Sequence, residues 1–169
     1  KVSSPSSHDL YTLGQQTIVS DTACYPAKLM HGHVEDLKNK GVDYIFAPSL
    51  TYNINENKGD NHYNCPVVAY YPEVIRCNVK MNEGTKLLSP FLDISNEKTF
   101  PKYFTRQMLS DGIELRERDV KKAADLAYKS LYDYKREVEN EGKHIIEVSE
   151  RENIPLVVLV GRPYHVDSE

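Results

Sequence analysis

Cys24 opens a predicted helix, with Lys28 four residues on and His31 seven residues on, so both basic groups share its helix face. At a helix N-terminus the unpaired backbone N–H groups and the dipole favour a thiolate over a thiol. A cysteine so placed can serve as a nucleophile, a redox group or a metal ligand; the plainer alternative is a small apolar residue packed under a sheet. His31 and His33, two residues apart on a helix, point away from each other and make no chelating pair. The remaining cysteines, Cys65 and Cys77, are widely spaced, and the odd total of 3 suits a reducing cytoplasm better than a disulfide framework.

The chain around these groups has 169 residues, enough for one domain with a substantial core and too few for two of ordinary size. A net charge of -4 without a basic run gives no electrostatic footprint for nucleic acid. No stretch approaches the roughly 20 apolar residues that cross a bilayer, and the first residues form no signal pattern. The expectation is a cytoplasmic protein with neither nucleic acid nor membrane as partner. Lys1-Val2-Ser3-Ser4-Pro5 reads as the tail of a strand, and Pro155-Leu156-Val157-Val158-Leu159-Val160-Gly161 as a buried parallel strand. Both ends thus predict that residues 1–169 are a single domain cut from a larger multidomain chain.

Between the ends, helix and strand signals alternate. Ser6 to Thr12 predicts a short helix ended near Gly14, and Thr17-Ile18-Val19 a short strand. The cysteine helix runs from Tyr25 to Lys40, with Pro26 tolerated in its first turn and Gly41 at C′. Val42 to Pro48 predicts a strand, the Asn-rich 53–64 stretch a long surface loop, and Pro66 to Tyr70 a strand followed by a helix over 72–79. Lys86-Leu87-Leu88 predicts a further strand, and 102–109 a helix. From Glu117, Val120, Ala124, Ala127, Leu131, Tyr134 and Val138 form one apolar stripe on a long amphipathic helix. The stripe resumes at Ile145 and Val148 beyond Gly142. Packing on the domain's own sheet is the expected use of the stripe, and a coiled-coil partner the alternative. The alternation points to an α/β domain whose mostly parallel sheet is covered on both faces.

In such sheets ligands bind beyond the carboxyl ends of the strands. The residues that follow the predicted strands are Ser49, Tyr71 and Arg162, with Cys24 on the same edge if Thr17 to Val19 is a strand. Strand ends also need turn formers whatever the function. Arg162 could pair with a phosphate or a carboxylate, or lock a turn with Pro163. No phosphate-cradling glycine loop is present, so ATP binding is expected elsewhere.

Three motifs, in order along essentially the whole chain, resemble the acyl-CoA dehydratase activase-related family, often described as CoA-substrate-specific enzyme activases. They are Cys24-Tyr25-Pro26-Ala27-Lys28 with His31-Gly32-His33, then Asn64-Cys65-Pro66-Val67-Val68 with Tyr71-Pro72-Glu73-Val74-Ile75, then Gly161-Arg162-Pro163-Tyr164-His165-Val166-Asp167. The region is similar to subunits of 2-hydroxyacyl-CoA dehydratases, enzymes of anaerobic metabolism whose Rossmann-like domains hold a [4Fe-4S] cluster through cysteines. The resemblance implies a Rossmann-like three-layer domain beside ATPase domains of the same parent chain or a dehydratase component, with a CoA thioester as substrate of the larger system. It implies iron–sulfur electron transfer, or reduction and dehydration of the thioester.

By position, the resemblance makes Cys24 the first candidate metal ligand and Cys65 the second, with Arg162, Tyr71, Ser49, Lys28 and His31 as candidate cofactor-binding residues. If Pro66 to Tyr70 is a strand, Cys65 precedes it and lies on the opposite rim, about 17 Å away. Ser49 stands where dehydratase-like subunits tend to carry a cysteine, so a cluster is expected to be incomplete here. Two other readings stand beside this one: a non-catalytic domain that docks ATPase domains or a dehydratase partner, and a transferase with Cys24 as nucleophile.

Overall fold

The structure, a computed structural model, describes residues 1–161. In chain order it has α1 (His8–Gly14), a 3-10 turn (Gln15–Thr17), α2 (Tyr25–Asn39), β1 (Tyr44–Phe46), β2 (Ser49–Tyr52), α3 (Pro66–Asn78), β3 (Lys86–Leu88), β4 (Phe91–Asp93), α4 (Phe100–Ser110) and α5 (Glu117–Glu152). This is an α/β fold with short parallel strand pairs, β1 with β3 and β2 with β4.

The two pairs share one register. Tyr44 faces Lys86, Phe46 faces Leu88, Ser49 faces Phe91 and Leu50 faces Leu92, which sets Pro48 opposite Pro90. Neither proline has an N–H to give, so the ladder breaks there and resumes. The flanking amides keep the strands together: Ala47 N–H donates to Leu88 O at 2.9 Å, and Ser49 N–H to Pro90 O at 2.9 Å. The predicted strand over 42–48 therefore continues past its proline to Tyr52, and Ser49 lies within the ladder rather than on its carboxyl rim.

The core gathers where α2 and α3 meet the strands. Ala27 and Val34 of α2, Ile45 of β1, and Tyr71 and Ile75 of α3 with the adjoining Val79 form one buried cluster. Phe104 of α4 meets Phe46 of β1, their ring centroids 6.1 Å apart. The α1–α2 crossing is closer still, because both helices carry glycine at the contact. A Cβ on Gly32 would fall 2.0 Å from Leu10 O, and one on Gly14 would fall 2.2 Å from Gly32 N.

Several expectations are corrected. Thr17 to Val19 forms no strand; Thr17 closes the 3-10 turn, and Ile18 leaves it extended with its N–H donating to Gln15 O at 3.3 Å. Pro66 to Tyr70 is the beginning of α3, not a strand. The helix α5 runs unbroken through Gly142, but it packs on α4 rather than on the strands, through buried Ala124 and Tyr128, whose hydroxyl donates to Ile94 O at 3.0 Å. Pro155 to Val160 is in no strand, and Val157 and Val160 are 88% and 89% exposed. The helix of 36 residues that precedes this run spans about 54 Å.

Candidate functional site

The residues with chemistry collect at the N-terminal ends of α2 and α3. Each helix starts the same way: Cys24 is the N-cap of α2 at φ -65°, ψ 156°, and Cys65 is the N-cap of α3 at φ -61°, ψ 154°, each with a proline in the first helical positions. Proline suits this place because its missing N–H would have no intrahelical partner. Neither thiol caps its helix, and both residues are exposed and unbridged.

The two helices run side by side in the same direction. At mid-length His31 Nε2 of α2 meets the Tyr71 hydroxyl of α3 at 3.0 Å. At the far end the Asn82 side-chain amide, just beyond α3, donates to Lys38 O in the last turn of α2 at 3.1 Å. Cys24 lies seven residues before His31, and Cys65 six before Tyr71, so each N-cap stands about 10 Å along its axis from that shared contact. Cys24 and Cys65 therefore sit at the same end of the helix pair. The opposite-rim expectation for Cys65 falls with the strand on which it was based. Cys77 is exposed in the last turn of α3, about 18 Å along the axis from Cys65.

Beneath the two N-caps lies a directed chain of hydrogen bonds. The Thr17 hydroxyl donates to Gly14 O at 2.9 Å, which spends its only proton. At 2.8 Å it must then accept from His31 Nδ1–H, and Nε2 of the neutral ring accepts from the Tyr71 hydroxyl. Burial pushes the His31 pKa down, against the opposing pull of Glu35. Burial raises the Tyr71 pKa, and the charge of Cys24 adds to the rise, which puts the Cys24 thiol within electrostatic reach of the phenol.

The other residues singled out from sequence separate. Lys28 is half-buried one turn into α2, where its N–H donates to Cys24 O at 3.1 Å. His31, Tyr71 and Ser49 are buried. Ser49 Oγ has no hydrogen-bond partner at all. His33 is turned from the site and lies between Ser3 Oγ at 2.9 Å and Ser6 Oγ at 3.3 Å. Arg162, with the rest of the last motif from Pro163 to Asp167, lies outside the described residues. Among the described residues no group of three or more His, Cys, Asp or Glu side chains is gathered to hold a metal ion.

What sequence reasoning missed was the helical start at Cys65. A signal for it was present: Val67, Tyr71, Val74 and Ile75 follow i, i+4, i+7, i+8 spacing, and Pro66 stands in the first helical position. No helix among the described residues is long and apolar enough to cross a membrane. No curated protein and no solved structure matches the chain. The profile of one family does match, over residues 1–169, and by it this chain belongs to the CoA enzyme activase uncharacterised domain family (DUF2229).

Proposed function

We propose that this domain serves electron transfer in a CoA enzyme activase system, with Cys24 and Cys65 contributing thiolates to an iron–sulfur centre at the shared N-terminal end of α2 and α3. The observation that carries this reading is the pair of exposed, uncapped cysteines at matching N-caps of two parallel helices. Helix N-termini stabilise negative charge, so the two helix ends together favour both thiolates and an anionic centre. A [4Fe-4S] cluster takes four thiolates, and the described residues offer two at this end. They fit half of such a site, and the other ligands come from elsewhere in the parent chain or from a dehydratase component.

When bound, the cluster would supply one-electron transfer toward reduction or dehydration of a CoA thioester. The chain's own residues hold the frame: Tyr71 and His31 fix the spacing of α2 and α3, and Lys28 sets a positive charge one turn from Cys24. We also read the parallel strands, with α2 and α3 packed around Ile45 and α4 reaching Phe46, as part of a Rossmann-like three-layer arrangement. The ATPase domains of an activase are the partners this reading requires.

Anaerobic reconstitution with iron and sulfide tests it. Wild type and Cys77→Ala should take up equal iron and sulfide, and Cys24→Ala and Cys65→Ala much less. Equal uptake by all four proteins removes both ligand assignments. Failure of the wild type to take up any iron, with retained binding to ATPase domains, would favour the non-catalytic docking role.

A further inference from the structure

The Asn-rich 53–64 stretch stands outside the site above, yet it delivers the chain to Cys65. It leaves β2 at Asn53 and returns antiparallel, with Tyr52 bridged to Tyr63 and their rings 4.3 Å apart. Asn53 N–H donates to His62 O at 2.9 Å and closes the neck of the loop. Asn53, Asn55 and Asn61 use their side-chain oxygens within the loop, accepting from the amides of Ile54, Asn57 and Tyr63 at 2.8, 2.9 and 3.2 Å. Such local bonds shape turns.

Asn64 differs. Its side-chain amide donates to Leu50 O at 3.0 Å and its backbone N–H to Thr51 O at 3.0 Å, so one half-buried residue is fastened to two successive carbonyls of β2. The next residue is Cys65. Pro66 restricts Cys65 to the extended region, where its φ of -61° and ψ of 154° lie, and so sets its conformation but not its place. A helix start is ordinarily held by an N-cap side chain that accepts from the first-turn amides. Cys65 makes no such bond, while its carbonyl accepts from Ala69 N–H at 3.0 Å to begin α3. The hold on this helix end comes instead from the residue before the N-cap, and it is anchored on another element.

We infer that Asn64 is a positioning residue for Cys65: it fastens the start of α3 to β2 in place of a capping side chain, and so keeps the thiol fixed in place and free to bind a metal. The metal-binding half of this inference rests on the iron–sulfur reading above. Removing the side-chain donor should loosen the first turn of α3 and leave the far end of the helix as it was.

Hydrogen exchange resolved to single amides, beside anaerobic uptake of iron and sulfide, tests the assignment on the chain. Asn64→Leu keeps the size and loses the donor, whereas Asn64→His sets Nδ1–H at the same number of bonds from the backbone and can restore it. The Ala69 amide should exchange about tenfold faster in Asn64→Leu, the equivalent of one hydrogen bond, and return toward the wild-type rate in Asn64→His. The Val79 amide, bonded to Ile75 O at 2.8 Å at the other end of α3, registers general loosening and should not change. Iron uptake should fall in Asn64→Leu and recover in Asn64→His. Unchanged exchange at Ala69, equal acceleration at Val79, or full iron uptake by Asn64→Leu overturns the proposal. A wild type that takes up no iron overturns the iron–sulfur reading, and exchange at Ala69 then still decides whether Asn64 holds Cys65.

Discussion

His31 and Tyr71 join α2 to α3 through a buried hydrogen bond of 3.0 Å in which the phenol donates to a neutral imidazole. That direction follows from the Thr17 hydroxyl, which has given its proton to Gly14 O and leaves Nδ1 of the ring as a donor.

The pH dependence of stability follows from the same pair. His31 and His33 both have pKa values lowered by burial, so the folded protein resists protons that the unfolded chain accepts. Stability contributed by the neutral rings is full above the unfolded-state pKa of about 6.5 and declines as pH falls through and below it, by at most about 1.4 kcal/mol per pH unit for each ring. Urea denaturation from pH 8 to pH 5 should show this decline, and His31→Gln should flatten it while lowering stability at pH 8. An unchanged slope in His31→Gln would mean that this ring is charged when buried.

Glycine matters at the α1–α2 crossing and not in the middle of α5. Gly32→Ala forces a methyl group into Leu10 O and should cost about 1–3 kcal/mol or more, by overpacking against backbone that cannot step aside. Gly142→Ala meets nothing within 4 Å and should stabilise the helix by about 1 kcal/mol. Denaturant midpoints of the two variants should move in opposite directions.

Ser49 buries a hydroxyl with no partner, at a cost. Ser49→Ala removes that cost and should leave stability unchanged or raise it by about 1 kcal/mol. A clear loss in thermal melting would reveal a bridging water or another partner for Oγ.

Cysteine is a poor choice for an N-cap if stability alone is at stake. Serine or aspartate at 24 or 65 can accept from the first-turn amides, which neither thiol does. Cys24→Ser and Cys65→Ser should therefore each raise stability by about 0.5–1 kcal/mol while losing iron uptake. Destabilisation instead would show that the thiols are held for packing.

Much of this architecture is legible locally. Gly41 at φ 60° just past α2, Pro26 in its first turn, and the stripe from Val120 to Val138 each act within one or two helical turns, so α1, α2, α4 and α5 follow from sequence patterns alone. So does Cys24 at a helix start. The run Pro66-Val67-Val68-Ala69-Tyr70 reads as a strand because β-branched residues fit one, although helical spacing continues through Tyr71, Val74 and Ile75; burial of Tyr71 and Ile75 against α2 and β1 goes with the helix. The strands β2 and β4, short and headed by prolines, exist by virtue of each other's register. The apolar run Leu156 to Val160 has strand composition, yet it stands exposed and joins no ladder among the described residues. The sequence by itself thus determined two cysteines, each followed closely by a proline. Their placement at one end of a parallel helix pair is a long-range contact, made by His31 with Tyr71 and by Asn82 with Lys38, and only the tertiary structure decided it.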